Sequence, residues 1–245
     1  MRREVSNRIR FVIEELVPGI LRDSRPFRLL MRAMAGAHVE RLAEFRRRAP
    51  FLTAAEYRAL YADHPRVHDD TDNSAACIDL IRRNVVGPEV CDVGCGTGYL
   101  VKQLAQAPEL KACRFTGVDF ALENAVQAGN VSFRECDILH MPFADRAFDT
   151  VICTHVLEHI LDIRAALMEL RRIARRRLIL VVPREREFEY TFNPHFHFFP
   201  YPHSFLRVLF PIPVSHSIRA VGRDFFYVED VEPGSAGQAA LTPQH

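Results

Sequence analysis

The stretch that decides the fold is Val90-Cys91-Asp92-Val93-Gly94-Cys95-Gly96-Thr97-Gly98. Its first residues predict a buried strand, its glycines a tight turn, and the residues that follow a helix. Glycine lets the backbone turn sharply and come close to a ligand, while the free N–H groups at the start of the helix favour an anion. The turn therefore predicts a binding site for an anionic part of a ligand.

The surrounding pattern is one of short apolar runs that alternate with helical stretches, which is typical of βαβ units and a parallel sheet. Two further strand-like runs near the end are joined by Gly222-Arg223, which predicts an antiparallel hairpin. The fold class we predict is α/β, with a doubly wound, mostly parallel sheet closed by this C-terminal hairpin. The predicted strands are 89–93, 114–118, 131–135, 148–153, 178–182, 215–221 and 224–230, with helices near 98–107, 122–128 and 163–174.

The domain organisation that we predict has a helical N-terminal extension or lid at residues 1–73, which includes a capping box at Thr53 to Glu56. The ligand-binding domain covers 74–233, and Asp72 or Asn73 is expected to cap its first helix. Within it, 184–213 is an irregular segment rich in Pro and Phe, and 234–245 is a flexible tail. The arginines between 171 and 177 are expected to close a helix as a solvated face.

Composition excludes several classes of protein. Thirty-two basic and thirty-one acidic residues leave a net charge of +1, so no nucleic-acid partner is expected. The six cysteines form no C-x-x-C pair and are expected to be reduced thiols of the cytoplasm. No apolar run approaches the roughly 20 residues that span a bilayer, and the basic start of the chain, interrupted by charged residues, is not expected to be an export signal.

Acidic residues follow the next two predicted strands. Asp119 ends the second strand, where a carboxylate of a doubly wound fold accepts hydrogen bonds from a ribose. Asp137 follows the third strand, and Ile138 beside it is placed to lie against an adenine ring. The glycine spacing is G-x-G-x-G rather than G-x-G-x-x-G, which favours a nucleoside ligand without a pyrophosphate and disfavours an NAD-dependent dehydrogenase.

At these residues the sequence resembles the class I S-adenosylmethionine-dependent methyltransferases of the small-molecule type. The resemblance rests on Asp92 to Gly98, Gly117 to Asp119, Cys136 to Phe143, Phe148 to His159 and Leu178 to Pro183, within about 75–185. It implies S-adenosyl-L-methionine as cofactor, with the glycine loop at its methionine part, Asp119 at the ribose and Asp137 at the adenine. The cofactor-binding residues predicted are Asp92, Gly94, Cys95, Gly96, Gly98, Asp119, Phe120, Asp137, Ile138 and Thr154.

Methyl transfer requires alignment of the acceptor and, for a hydroxyl, removal of its proton. His155 follows the fourth strand, and His195 and His197 lie in the aromatic segment predicted as the acceptor pocket, so these three are the candidate catalytic residues. A structural role remains open for each: His155 as a group that closes the strand end, and the others as packed side chains. No metal is predicted, because the H-x-H pair and His203 have no carboxylate close by in sequence.

The function predicted is therefore a cytoplasmic methyltransferase that acts on a hydroxyl, or in second place an amine, of a small molecule. The alternatives are a cofactor-binding subunit without activity, and an enzyme that methylates a lipid or lipid-linked sugar at a membrane surface. The arginine-rich N-terminal helices suggest the latter peripheral contact. The oligomeric state stays open.

Overall fold

The structure is a computed structural model that describes residues 17–36, 38–53, 55–57, 71–122, 127, 129–189 and 194–231. The strands are β1 (Glu89–Val93), β2 (Arg114–Asp119), β3 (Val131–Glu135), β4 (Phe148–Thr154), β5 (Ala174–Pro183), β6 (His216–Val221) and β7 (Asp224–Asp230). The α-helices are α1 (Gly19–Arg22), α2 (Arg25–Ala35), α3 (His38–Arg48), α4 (Ala75–Asn84), α5 (Tyr99–Gln106), α6 (Ile163–Ile173) and α7 (Pro202–Val208). Single 3₁₀ turns cover Ala49–Phe51, Pro108–Leu110 and Leu157–His159.

The described residues form a seven-stranded sheet in the order β3-β2-β1-β4-β5-β7-β6. The first five strands are parallel, and β7 pairs antiparallel with both β5 and β6. Strand β7 is interior and nearly all of its side chains are buried, whereas β6 is largely exposed and forms the edge. The mixed, mostly parallel sheet and its C-terminal hairpin confirm the predicted fold class.

The core lies against this sheet. Helices α4 and α5 bury apolar side chains such as Ile81 and Leu104 against Val90, Phe115 and Ile152. Helix α6 buries a stripe at helical spacing and contacts β4 and β5. This packing fixes the strand ends, so the loops that follow β1, β2 and β4 lie along one edge of the sheet.

The described residues divide into two compact units. One contains the residues up to 57 together with 185–189 and 194–200, and the other contains 71–184 and 201–231. In the first unit, Arg46 donates to the carbonyl oxygen of Phe188 at 2.9 Å, and the rings of Phe45 and Phe196 lie 5.5 Å apart. The segment after β5 thus packs on the N-terminal helices.

Several local predictions need correction. The arginines do not close one helix, because α6 ends at Ile173 and Arg175 to Arg177 belong to β5. The Pro-rich segment is not wholly irregular: α7 begins at Pro202, and proline is tolerated in a first turn. Within the predicted helical extension, α2 and α3 are separate helices: α2 ends at Ala35, and Gly36, whose φ is 63°, follows as its C-cap.

The cap of α4 also differs from the prediction. Ser74, rather than Asp72 or Asn73, accepts the hydrogen bond from the backbone N–H of Cys77. The capping box is confirmed, since Thr53 and Glu56 bond each other reciprocally. The predicted helix at 122–128 lies largely outside the described residues, as do the tail from 234, the first sixteen residues and His68 to Asp70.

Candidate cofactor site and histidine pairs

The candidate cofactor site lies at the carboxyl edge of the parallel strands. Strand β1 ends at Val93, which is in register with Val118 of β2 and with Cys153 of β4. The glycine loop, Asp119 and Thr154 therefore emerge side by side from three adjacent strands. In open α/β sheets this edge is where ligands bind.

Asp92 is the buried carboxylate of this edge. Its side chain is 1% exposed, and its Oδ1 atom has no hydrogen-bond partner among the described residues. Burial, with the charge of Asp119 as a second cause, raises the pKa of Asp92 to about 7. A buried, unpaired acceptor of this kind fits a cationic donor, and the ammonium group of an amino acid is one.

Asp119 is bonded to the glycine loop itself. Its Oδ2 accepts from the backbone N–H of Gly96 at 2.8 Å, and its Oδ1 accepts from that of Ala121 at 3.3 Å. The backbone N–H groups of Gly94 and Cys95 donate to the carbonyl oxygen of Val118 at 2.7 and 3.0 Å. The carboxylate predicted to hold a ribose thus also holds the loop in shape.

The glycine loop has no room for side chains at two positions. Gly94 has a φ of +77°, and a Cβ there would lie 2.1 Å from Val156 Cγ2. Gly98 caps α5 in a left-handed conformation, and a Cβ there would lie 2.4 Å from the ring of Phe133. These glycines are required by the backbone conformation and by close packing.

The residues predicted for the adenine lie after β2 and β3. Phe120 is 39% exposed, and Ile138 is buried. Asp137 Oδ1 accepts from the backbone N–H of Leu139 at 3.0 Å, which forms a local turn. Cys95 is buried in the glycine loop, and Thr154 Oγ1 accepts from Asn73 Nδ2 at 2.9 Å.

His155 stands directly after β4 with a φ of 54°, a strained value for a residue with a side chain. Its Nδ1 lies 3.7 Å from Glu158 Oε1, and its Nε2 lies 3.9 Å from Asp224 Oδ1. Burial lowers the pKa of His155, but Glu158, Asp224 and Asp72 outweigh it and raise the pKa above the ordinary value. The carboxylates therefore favour the charged form of the imidazole, whereas a general base must be neutral to accept a proton. The role of His155 as general base stays a prediction.

His195 has a different partner. Its Nδ1 lies 2.6 Å from Glu185 Oε2, and both side chains are buried in the first unit. This corrects the expectation that no carboxylate stands close to the histidines of this segment. His197 is half-buried in the same unit.

Sequence reasoning did not pair the histidines with three carboxylates: Glu158, Glu185 and Asp224. Glu158 is three residues after His155 in the sequence. Glu185 is ten residues before its histidine, and Asp224 is on the C-terminal hairpin. A lone acidic residue in a strand or loop carries no spacing signal, so these pairings required the fold.

The comparisons with known proteins agree with this geometry. Residues 91–182 match the family model described as a methyltransferase domain. With the sheet and the glycine loop, this shows that the chain contains a class I S-adenosylmethionine-dependent methyltransferase domain, whose cofactor is S-adenosylmethionine. The dehydrogenase alternative is therefore not supported.

Individual relatives are similar over parts of their length. The O-methyltransferase resE of Aspergillus sclerotiorum is 34% identical over 96 residues, which is 36% of this chain and 36% of that protein. An O-methyltransferase of Pyrenophora dematioidea is 29% identical over 154 residues, 50% of this chain and 58% of that protein. A solved structure from Pyrococcus horikoshii has a TM-score of 0.53 at 18% identity, over 71% of this chain and 99% of that one, which supports the fold.

The chain covers between 35% and 58% of the length of the first four curated relatives. Their similarity thus applies to part of each protein and not to the whole chain. None of the helices in the described part of the chain is long and apolar enough to cross a membrane.

Proposed function

We propose that this protein transfers the methyl group of S-adenosylmethionine to a hydroxyl of a small molecule. The observation that carries the cofactor assignment is the buried, unpaired Oδ1 of Asp92 beside the glycine loop. S-Adenosylmethionine has an ammonium group that would pair with this oxygen. Its sulfonium group supplies an activated methyl group. The hydroxyl acceptor is supported by the names of the first four curated relatives, which are O-methyltransferases.

In this proposal the residues of the carboxyl edge bind and orient the cofactor. Asp92 and the loop from Gly94 to Gly98 would hold its methionine part, and Asp119 its ribose. Phe120, Asp137 and Ile138 would hold the adenine, with Thr154 at the end of β4 beside the reacting group. Most of the rate enhancement expected of such a site comes from alignment and from exclusion of water.

In this proposal one of the three candidate histidines removes the proton of the acceptor hydroxyl. His195 has a buried carboxylate on Nδ1, an arrangement that fixes the tautomer and orientation of an imidazole. His155 faces the carboxylates of Glu158 and Asp224 at the carboxyl edge of the sheet. We propose His155, which directly follows Thr154 at the end of β4, as the first candidate for the general base, with His195 and His197 as the further candidates.

Calorimetric titration with S-adenosylmethionine, S-adenosylhomocysteine and NAD tests the cofactor. We expect saturable binding of the first two alone. Asp119→Ala should weaken that binding by about tenfold or more, since it removes a ribose partner and the acceptor of the Gly96 N–H. Asp145→Ala, at an exposed aspartate, is the matched control. Equal affinities of the two variants for S-adenosylmethionine would contradict the proposed cofactor site.

An acceptor screen with the same protein tests the activity. Transfer of labelled methyl to a small hydroxylated compound supports the proposal, and binding without transfer to any acceptor favours the cofactor-binding subunit. His155→Ala and His197→Ala should each leave cofactor affinity within about tenfold. At least one of the variants His155→Ala, His195→Ala and His197→Ala should slow transfer strongly, and wild-type turnover by all three would contradict the base assignment.

A second candidate function, methylation of a lipid or lipid-linked sugar at a membrane surface, is supported by the exposed face of α2. Leu29 and Leu30 are 66% and 54% exposed, and the helical spacing puts Pro26 and Ala33 on the same face. Arginines occupy the next face, as is typical of helices that lie on anionic membranes.

Cosedimentation with vesicles of anionic or neutral lipid tests this candidate. Replacement of Leu29 and Leu30 by Ser should abolish binding to anionic vesicles. Met168→Ser, at a residue 72% exposed on α6, is the control that should leave binding unchanged. Sedimentation that does not depend on anionic lipid would exclude the membrane function.

A further inference from the structure

A recess lined by arginines lies at the amino edge of the sheet, on the second unit. Its volume is about 360 Å³, and we call it the arginine recess. It is lined by Val86, Arg146, Arg175, Arg176, Arg177, Asp230 and Val231. Arg175 to Arg177 are among the first residues of β5, whereas the glycine loop is at the opposite ends of the parallel strands. The recess is therefore separate from the cofactor site.

Three of the four guanidinium groups are held in place by hydrogen bonds. Arg146 Nη2 donates to the carbonyl oxygen of Arg175 at 2.9 Å, and Arg175 Nε donates to that of Arg146 at 2.9 Å. Arg177 Nε donates to Asp230 Oδ1 at 2.8 Å. A binding site whose cations are already ordered loses less conformational entropy when a ligand arrives.

Arg176 differs from the other three arginines. Its side chain is exposed, and its guanidinium makes no hydrogen bond or ion pair with any residue in the described ranges. Its charge does act on Asp230, and Arg177 and Arg176 both help to keep the pKa of Asp230 below its usual range. Asp230 thus stays ionised, and Arg176 keeps its five donors available.

The charge of the recess fits one phosphate group. Two carboxylates are close to the four arginines: Asp230 lines the recess, and Asp149 accepts from Arg175 Nη1 at 3.2 Å. Four positive and two negative charges leave a net charge of about +2. A phosphomonoester carries about −1.5 to −2 at neutral pH. Guanidinium groups match phosphate oxygens in geometry and bind them through paired N–H donors.

We propose that the arginine recess binds the phosphate group of a small phosphorylated ligand, with Arg176 as its first contact. This binding is independent of the cofactor site and of the proposed methyl transfer. The volume accommodates a phosphomonoester with part of its organic group. The experiment therefore uses inorganic phosphate, which probes the group alone, and glycerol 3-phosphate, which adds a small organic part.

Calorimetry on the full chain at low ionic strength provides the test. We expect saturable binding of glycerol 3-phosphate, and R176Q should weaken it by about tenfold, with the same unfolding midpoint as wild type. R164Q is the matched control, because Arg164 is an exposed arginine on α6 outside the recess. It should bind as wild type does.

Three outcomes would overturn the proposal. Equal affinities of R176Q and R164Q would mean that the recess does not bind the ligand. Equal displacement by chloride at the same ionic strength would mean a nonspecific positive surface. Binding of anionic vesicles or an oligonucleotide without binding of either phosphate probe would assign the arginines to a macromolecular surface instead. S-Adenosylmethionine binding by R176Q should be normal, so failure here is distinguishable from failure of the cofactor site.

Discussion

His195 Nδ1 lies 2.6 Å from Glu185 Oε2, and the two side chains are 6% and 5% exposed. This separation is short for a nitrogen and an oxygen, and it is within hydrogen-bond distance. The pair is local to the first unit, where the segment that follows β5 packs on the N-terminal helices. The carboxylate orients the imidazole, which is what a histidine with a catalytic role requires.

Removal of this carboxylate should be costly. Glu185→Ala removes the carboxylate that faces a buried imidazole, so we expect a loss of about 3 kcal/mol in the free energy of unfolding. Glu187→Ala is the control, because Glu187 is 70% exposed and pairs with Arg46 at 3.0 Å. An exposed ion pair contributes less than about 1 kcal/mol. Urea unfolding of both variants measures the difference, and similar losses would contradict the buried pair.

Asp92→Asn should stabilise the cofactor-free protein and weaken cofactor binding. The pKa of Asp92 rises from 3.8 to about 7 on folding, so its contribution to stability falls as pH increases through that window. Asn does not ionise, so at about pH 8 the variant should be more stable than wild type by at least about 1 kcal/mol. It also lacks the charge that would attract an ammonium group, and affinity for S-adenosylmethionine should fall about tenfold.

Thermal unfolding and calorimetry of the same variant measure these two changes. A gain in stability together with a loss of cofactor affinity distinguishes a carboxylate that binds the cofactor from one that stabilises the fold. Lower stability at high pH together with unchanged affinity would refute the role of Asp92.

His155 should make stability depend on pH in the opposite sense to an ordinary buried histidine. Its folded pKa is raised above 6.5, so its stabilising effect is complete below that value and is lost as pH rises through the folded pKa. Relative to wild type, His155→Gln should be least stable at low pH. The groups that face the imidazole are Glu158, Asp224 and Asp72, and Cys77 donates to Asp224.

Urea unfolding of wild type and His155→Gln at pH values below and above 6.5 measures this difference in stability. His203→Gln, at an exposed histidine, is the control with which the His155→Gln series is compared. A His155→Gln difference that grows with pH would indicate a neutral imidazole instead.

Gly94→Ala should disrupt the glycine loop. The new Cβ would meet Val156 Cγ2 at 2.1 Å, and a φ of +77° is unfavourable for alanine, so we expect about 2 kcal/mol or more of destabilisation. Gly222→Ala is the matched control, since its φ is +61° but nothing lies within 4 Å of the added atom. It should cost about 1 kcal/mol.

Combining Gly94→Ala with Val156→Ala removes both γ-methyl groups and should recover part of the loss. Equal stability of the two glycine variants, or no recovery in the double variant, would show that the contact with Val156 is unimportant.

The sequence by itself determined the strands of the parallel sheet, the glycine loop, the acidic residues at the ends of β2 and β3, and the C-terminal hairpin. These features depend on apolar periodicity and on backbone conformations that glycine adopts, and both are local properties of the chain. The helix at Pro202 was missed because a proline-rich stretch normally interrupts a helix, although its first turn tolerates proline.

Only the tertiary structure decided which charged groups meet. The pairing of His155 with Asp224 joins the end of β4 to the start of β7, because β7 lies beside β5 in the sheet. The same placement brings Asp230 to Arg177 at the opposite edge. Strand order depends on how apolar faces are buried across the whole sheet, and β7 lies between β5 and β6 with both of its faces buried. No spacing within one stretch of sequence contains that information.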